Sequence, residues 1–458
     1  MTSSEKAKKS GFFAQLIACF VQGDMWTRLS ALIMGLGNLR RGQVIKGLLL
    51  MGFEALFFYF HAAFGWKYLK DFGTLGVNEQ GRVWDEAAQI YRRVQGDNSM
   101  LILLFSVLSL ATIIPFVAVW IVNMKSALHV QKQVESGVKP NSFLADLKTM
   151  LDERFHITLL TLPMLALFAF TVLPTVFMIL IAFTNFDKNH QPPGHLFTWV
   201  GMTNVTDVFW DDQLKSNTFF GILGWTLVWA IFATFTNYIF GMILAMMINK
   251  KGIRFKKLWR TIFVITIAVP QFVSLLLVSK MFTDTGVVNV LLQQWGIISG
   301  PIPFITDPTL ARILVIVVNL WVGIPYTMLM TTGILMNIPA DLYESAAIDG
   351  AGPVRQFISI TLPYMLFVTA PQMITTFVGN INNFNVIYLL TTGGPLTLEY
   401  YQAGKTDLLV TWLYKLTVNE QNYSLASTIG IFIFLIVSSI SLLVYNMTGS
   451  VKKEDEFQ

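Results

Sequence analysis

Eight runs of about twenty or more mostly apolar residues, at about 43–64, 99–124, 157–183, 218–249, 259–280, 310–335, 364–390 and 424–447, dominate this 458-residue sequence. A bilayer core about 30 Å thick is crossed by about 20 residues of α-helix. In hydrocarbon every backbone N–H and C=O must be satisfied within the segment, which a helix achieves. The runs therefore predict an all-α protein with about eight transmembrane helices, placed as a multi-pass protein in the cytoplasmic membrane. Hydrophobic residues make up 54% of the chain and charged residues 13%, about half the charged share of roughly 25% in soluble domains. So few charges could not cover several soluble cores with polar surface. The first run is the weakest, because it contains Glu54 and His61 and follows Gly35, Gly37, Gly42 and Gly47; a re-entrant or surface-lying hairpin over 28–50 stays open. Phe12–Val21 is too short to cross and lacks a small-residue cleavage site before Gly23 and Asp24, so it reads as an interfacial helix.

The single cysteine, Cys19, excludes an internal disulfide framework. The five histidines, His61, His129, His156, His190 and His195, lack ligand spacing, so no metal site is expected. Lys and Arg resist translocation and collect in cytoplasmic connections. With the N-terminus inside, 21 of the 32 basic residues fall on cytoplasmic segments, six of them in the 249–260 turn: Lys250, Lys251, Arg254, Lys256, Lys257 and Arg260. The 281–309 connection has none. Both termini are thus expected in the cytoplasm, and the formal charge of +5 needs no nucleic-acid partner. The expected organisation is a cytoplasmic or interfacial segment 1–42, two accessory spans within 43–156, a six-helix core over 157–447 and a cytoplasmic tail 448–458. Outside lie 65–98, 281–309 and 391–423, and Glu79–Val94 reads as one short helix.

The most informative connection runs from Asn337 to Pro363. Pro339 suits a first helical turn, Asp341 favours the positive end of the helix dipole, and Leu342–Ile348 are mostly good helix formers. Gly350, Gly352 and Pro353 then stop the helix. Ala346 with Gly350, and Ala347 with Ala351, are four apart, which would stack small residues on one face and let another body approach. An ordinary amphipathic loop helix fits the same composition.

The string Glu344-Ser-Ala-Ala-Ile-Asp-Gly-Ala-Gly352, followed by Ile360-Thr-Leu-Pro363, resembles the EAA motif in the permease subunits of binding-protein-dependent ABC importers. That resemblance implies a coupling helix at about 339–353 seated on a partner ATPase, with Glu344, Ala346, Ala347, Asp349 and Gly350 as its contact positions. The likeness covers about 155–450. In detail it is similar to the larger maltose/maltodextrin permease subunit, at Trp321–Tyr326, Ala340–Glu344, Asn382–Phe384, Thr392–Pro395 and Thr406–Val410. One departure is that 184–217 is only a loop, where the enteric relative has a large folded insert.

The resemblance further implies a sugar site midway through the membrane on the sixth and seventh spans. Thr376, Asn380 and Asn383 are spaced four and three apart, so on one helix face they would present a hydroxyl and two amides. Gly323 would leave room opposite, and the Tyr326 ring could stack on a pyranose. The amides could equally serve interhelical hydrogen bonds. The second departure is Gly379, which stands where the enteric relative has an aromatic residue and removes a stacking surface. The family's partners would be a second permease subunit in a heterodimer, two ATPase subunits holding Mg-ATP, and an extracytoplasmic sugar-binding protein, with maltodextrin as substrate. No phosphate-binding GxxxxGK[ST] loop occurs, so the chain is expected to be a transport subunit with no catalytic residue and no cofactor. A secondary transporter would need mid-span carboxylates, for which only Glu54 is a candidate. A glycosyl-transferring enzyme would need paired acids, for which only Asp211-Asp212 could be cited.

Overall fold

The computed structural model of the chain describes residues 12–86, 88–250 and 252–447. The expected tail at 448–458, residues 1–11 of the expected first segment and Lys251 of the basic turn lie outside the described residues. The chain divides into two compact units, Met1–Trp199 and Val200–Gln458. Among the described residues seven helices are long and apolar enough to cross a bilayer, and a bent pair makes an eighth if its two halves count as one span.

In the first unit, α1 (Phe12–Val21), α2 (Met25–Leu29) and α3 (Leu36–Arg40) precede three long helices: α4 (Val44–Leu69), α5 (Ser99–Glu135) and α7 (Phe155–Ile181), with the short α6 (Phe143–Leu151) between the last two. Leu49, Leu56, Phe58 and Tyr59 on α4, and Leu162, Met164 and Phe170 on α7, are each more than half exposed. Such surfaces are stable against lipid and not against water.

Residues 24–43 form a compact hairpin against α5, while α4 runs as a full span. Asp24 caps α2 through the Thr27 amide and pairs with Arg41 at 2.6 Å. The Asn123 amide on α5 accepts from the Gly35 N–H and donates to the Ser30 carbonyl. Glu54, the one carboxylate within the first span, accepts from the Met34 N–H at 2.6 Å. It therefore satisfies a backbone donor of the hairpin. Gly35 holds φ +80°, and a Cβ there would collide with the Gly47 carbonyl.

The connection before α5 departs from expectation. In place of a helix over Glu79–Val94, β1 (Gly81–Asp85) and β2 (Ile90–Val94) form an antiparallel hairpin with Trp84 opposite Tyr91. The reason lies in the residue types: Trp, Ile, Tyr and Val favour a pleated ribbon. The Trp84 and Tyr91 rings meet edge-on with centroids 5.0 Å apart, Asp85 pairs with Arg92 at 2.7 Å, and Gln89 turns the chain at φ +51°.

The second unit is built on α8 (Gln213–Asn249), α9 (Lys256–Ala268), α10 (Gln271–Met281), α11 (Val287–Gln294), α12 (Pro308–Leu335), α13 (Ala340–Ile348), α14 (Leu362–Ile381), α15 (Phe384–Thr391), α16 (Leu409–Tyr414) and α17 (Tyr423–Met447). Asp212 caps α8 by accepting from the Leu214 and Lys215 amides, which gives that member of the Asp211-Asp212 pair a structural role. Trp225, Trp229, Ala233, Asn237 and Gly241 recur every four residues on the buried face of α8. Lipid offers helices no hydrophobic reason to associate, so close packing of small residues has to hold them. A Cβ on Gly241 would lie 2.6 Å from the Thr327 Cβ of α12.

The fifth apolar run is not one straight helix, because α9 and α10 meet at 87°. Pro270 pushes the residue before it out of the helical region, and Val269 is extended with ψ 126°. Beyond α15 the chain folds on a buried ion pair, in which Asp407 meets Lys415 at 2.6 Å and also accepts from the Gly404 N–H and the Thr411 hydroxyl. The Thr406 hydroxyl donates to the Gly394 carbonyl at 2.6 Å, so the segments Thr392–Pro395 and Thr406–Val410 form one clasp.

Candidate functional site

Where α8, α12 and α14 converge, they enclose a cavity of about 200 Å³. Its lining includes Gly323 and Tyr326 from α12, Thr376 and Asn380 from α14, and Asn383 just beyond α14. Five of the six residues singled out from sequence thus share one cavity. The sixth, Gly379, is not part of the lining; it is exposed, with open space where a Cβ would stand.

The local geometry differs from the expected single helix face. The α14 helix ends at Ile381, and Asn383 is the N-cap of α15, its carbonyl oxygen accepting from the Val386 N–H at 3.2 Å. Its amide donates to the Asn380 carbonyl oxygen at 3.4 Å, and the Asn380 amide donates to the Thr234 hydroxyl at 3.0 Å. Both asparagines therefore make bonds within the protein while facing the cavity. Each keeps capacity for another partner, since an amide offers two donors and two acceptor lone pairs. The Asn380 backbone carbonyl is held by the Trp229 indole N–H at 3.0 Å. Thr376 donates back to the Gln372 carbonyl and stays open as an acceptor. Tyr326 is more than half exposed and lines the cavity.

Gly323 does not leave empty space. A Cβ there would collide with the Asn237 amide of α8, so the glycine admits that side chain. Thr234, Asn237 and Tyr238 on α8, Asn319 on α12 and Gln372 on α14 also line the cavity, and the sequence reading missed them. Their signal was present as polar residues at helical spacing within apolar spans: 234, 237 and 238 share a face, and 319 lies one turn before 323. The side-chain oxygen of Asn237 and the side-chain nitrogen of Asn319 are buried without a hydrogen-bond partner among the described residues. None of the lining residues carries a formal charge at neutral pH.

The second candidate surface is α13 (Ala340–Ile348), the expected coupling helix, which buries none of its residues. Pro339 is its N-cap and Asp341 occupies the first turn. At the other end the Ala351 N–H bonds to the Ala346 carbonyl and the Gly350 N–H to the Ala347 carbonyl, with Gly350 at φ +76°. This is a Schellman cap, which calls for glycine at that position. Gly350 and Ala351 therefore lie past the helix end, and the expected stacking of Ala346 on Gly350 and Ala347 on Ala351 is replaced by backbone hydrogen bonds. Glu344, Ala347 and Asp349 are exposed and Ala346 is half-buried. The Tyr343 hydroxyl meets the Thr361 hydroxyl at 2.8 Å, tying α13 to the start of the next span. In the basic turn, Lys256 donates to the Asn249 carbonyl at 2.8 Å and Arg260 bonds the Asn249 side chain, so two of its cations cap the C-terminus of α8.

Comparison with known proteins places this arrangement among transport components. The family described as "Binding-protein-dependent transport system inner membrane component" matches residues 237–453. The galactooligosaccharides transport system permease protein GanP of Bacillus subtilis is 37% identical over 93% of this chain and 98% of its own. The maltodextrin transport system permease protein MalC of Streptococcus pneumoniae is 34% identical over 93% of this chain and 96% of its own. Among solved structures, a bacterial alginate ABC transporter in complex with an alginate pentasaccharide-bound periplasmic protein shares the fold, with a TM-score of 0.54 at 22% identity, covering 67% of this chain and 98% of that one.

Proposed function

Since the chain belongs to the family of inner membrane components of binding-protein-dependent transport systems, we propose that it is the sugar-translocating permease subunit of an ABC importer. The observation that carries this reading is the cavity between α8, α12 and α14, three helices of the apolar spans, lined by amides and hydroxyls. Polar groups held inside a membrane normally face a cavity or a partner helix. An uncharged lining suits a neutral polyhydroxylated substrate, with hydroxyls bonded by Thr376, Asn380 and Asn383 and one pyranose face resting on Tyr326. Maltodextrin is the substrate we test first, because maltodextrin and galactooligosaccharide permeases stand among the relatives.

At about 200 Å³ the cavity is smaller than the roughly 300–1,000 Å³ of sites that enclose an organic ligand. This supports a heterodimer in which a second permease subunit completes the site. The chain binds no Mg-ATP in this reading. Two copies of an ATPase dock on α13 through Glu344, Ala346, Ala347, Asp349 and Gly350, and their closure on ATP rotates the permease pair to accept sugar from an external binding protein.

The test is uptake of maltotriose and of a galactotriose into vesicles carrying the complete transporter, with Tyr326→Ala and Asn383→Ala beside wild type. Uptake that requires ATP and falls about tenfold in both variants supports the reading. Uptake that proceeds without ATP or without the ATPase contradicts it.

A further inference from the structure

The α8 helix contributes three polar side chains to the cavity wall, Thr234, Asn237 and Tyr238. Two of them are already engaged, for the Thr234 hydroxyl accepts from the Asn380 amide at 3.0 Å and the Tyr238 hydroxyl meets that of Thr369 at 2.8 Å. Asn237 is different. It is 6% exposed, and its side-chain oxygen accepts no hydrogen bond from any described residue. Opposite it stands Gly323, the one residue type that lets the amide sit where it does.

We propose that Asn237 is a substrate-binding residue, resting on the reading of this cavity as the sugar site, and that its carbonyl oxygen, closed to solvent in the sugar-free chain, turns to accept a hydrogen bond from a sugar hydroxyl. A buried acceptor left unfilled destabilises the folded chain, and an apolar residue of the same size would fill the volume without that loss. The residue is accounted for once a ligand supplies the proton. A carbonyl oxygen accepts and cannot donate, so it recognises a hydroxyl and rejects an ether oxygen or a deoxy carbon at the same place. The α8 helix thereby becomes a third wall of the site beside α12 and α14. Gly323 acts through Asn237, as the residue that makes room for its amide.

The test is the melting temperature of the purified complete transporter, titrated with maltotriose and with a galactotriose. The variants are Asn237→Leu, Asn237→Ala, Gly323→Ala and the double Asn237→Ala/Gly323→Ala, with Tyr326→Ala and Asn383→Ala alongside. Without sugar, Asn237→Leu should melt at or above the wild-type temperature. With sugar, the half-saturating concentration should rise about tenfold in both Asn237 variants. Gly323→Ala should raise it similarly, yet add little in the Asn237→Ala background.

An unchanged half-saturating concentration in both Asn237 variants, with the concentration raised in Tyr326→Ala and Asn383→Ala, overturns this inference and leaves the cavity as the sugar site. A lowered sugar-free melting temperature in both Asn237 variants, without change in sugar response, likewise overturns it by making the amide a packing group. No sugar-dependent shift in wild type, or the same shift in every variant, overturns the cavity reading and this inference with it.

Discussion

Asp407 is fully buried, and the ammonium of Lys415 at 2.6 Å is the charge that makes its ionised form tolerable there. Breaking a buried pair from one side leaves an uncompensated charge, whereas removing both partners does not. Lys415→Met should therefore destabilise the clasp by about 3–5 kcal/mol, read as a lowered melting temperature. The double variant Lys415→Met/Asp407→Asn should recover much of that loss. At this scale the sequence was informative about type and poor about neighbours. Spacing grouped Thr376, Asn380 and Asn383, the family resemblance added Gly323 and Tyr326 and implied a site there, and all five line one cavity. Asn237 was missed although Thr234, Asn237 and Tyr238 share a polar face, because periodicity orders residues around one helix and is silent on which helix faces it. Gly323 was read as space for substrate, and only the packed structure shows the Asn237 amide in that space.

At the scale of elements, the eight apolar runs reappear as seven long helices and one bent pair, because a bilayer imposes a length that composition alone reveals. The two misread elements lie where that constraint is absent or locally overridden. Residues 79–94 are polar and short, so helical and strand periods are hard to tell apart, and the aromatic and β-branched residues settle them as a hairpin. Pro270 divides the fifth run, which hydropathy averages over.

The base of the 77–97 connection is pinned by Asp97, whose carboxylate accepts from the Val77 and Asn78 amides at 2.9 Å. Those backbone hydrogen bonds, then one from the Asn78 side chain and the nearby Lys70 charge, outweigh partial burial and hold its carboxyl below the usual range. A carboxyl with a lowered folded pKa stabilises the fold above the ordinary carboxylate value of about 3.9 and loses that contribution as pH falls through its own lower value. Amide exchange at Val77 and Asn78, corrected for intrinsic rates, should thus stay protected from neutral pH through the ordinary carboxylate value of about 3.9 and open only as pH falls further, through the lowered value of Asp97. Asp97→Asn should weaken this protection at neutral pH and remove its dependence on acid. Exchange that ignores both pH and the substitution would contradict the role given to Asp97.

At the scale of the whole molecule, the second unit carries both the polar cavity and the exposed helix α13, which buries none of its own residues. The Tyr343–Thr361 hydrogen bond joins α13 to the segment that runs into α14, one wall of the cavity. Movement imposed on α13 by the proposed ATPase partner would have a covalent and hydrogen-bonded route toward the Asn380 face. The resemblance of the 344–352 string could be read from sequence because a short motif with a glycine cap leaves few alternatives. The partners that would cover α13 and complete the cavity leave no comparable mark, since an uncovered surface does not name what covers it.

The central claim is that α13 couples ATP hydrolysis on a partner to sugar held at the cavity. It is tested most directly by sugar-stimulated ATP hydrolysis of the complete transporter, carrying wild-type or Glu344→Ala permease, with the sugar-dependent melting shift measured on the same samples. The account predicts that Glu344→Ala lowers stimulated hydrolysis roughly tenfold or more while leaving the melting shift in place. Stimulated hydrolysis at the wild-type rate in Glu344→Ala would contradict it.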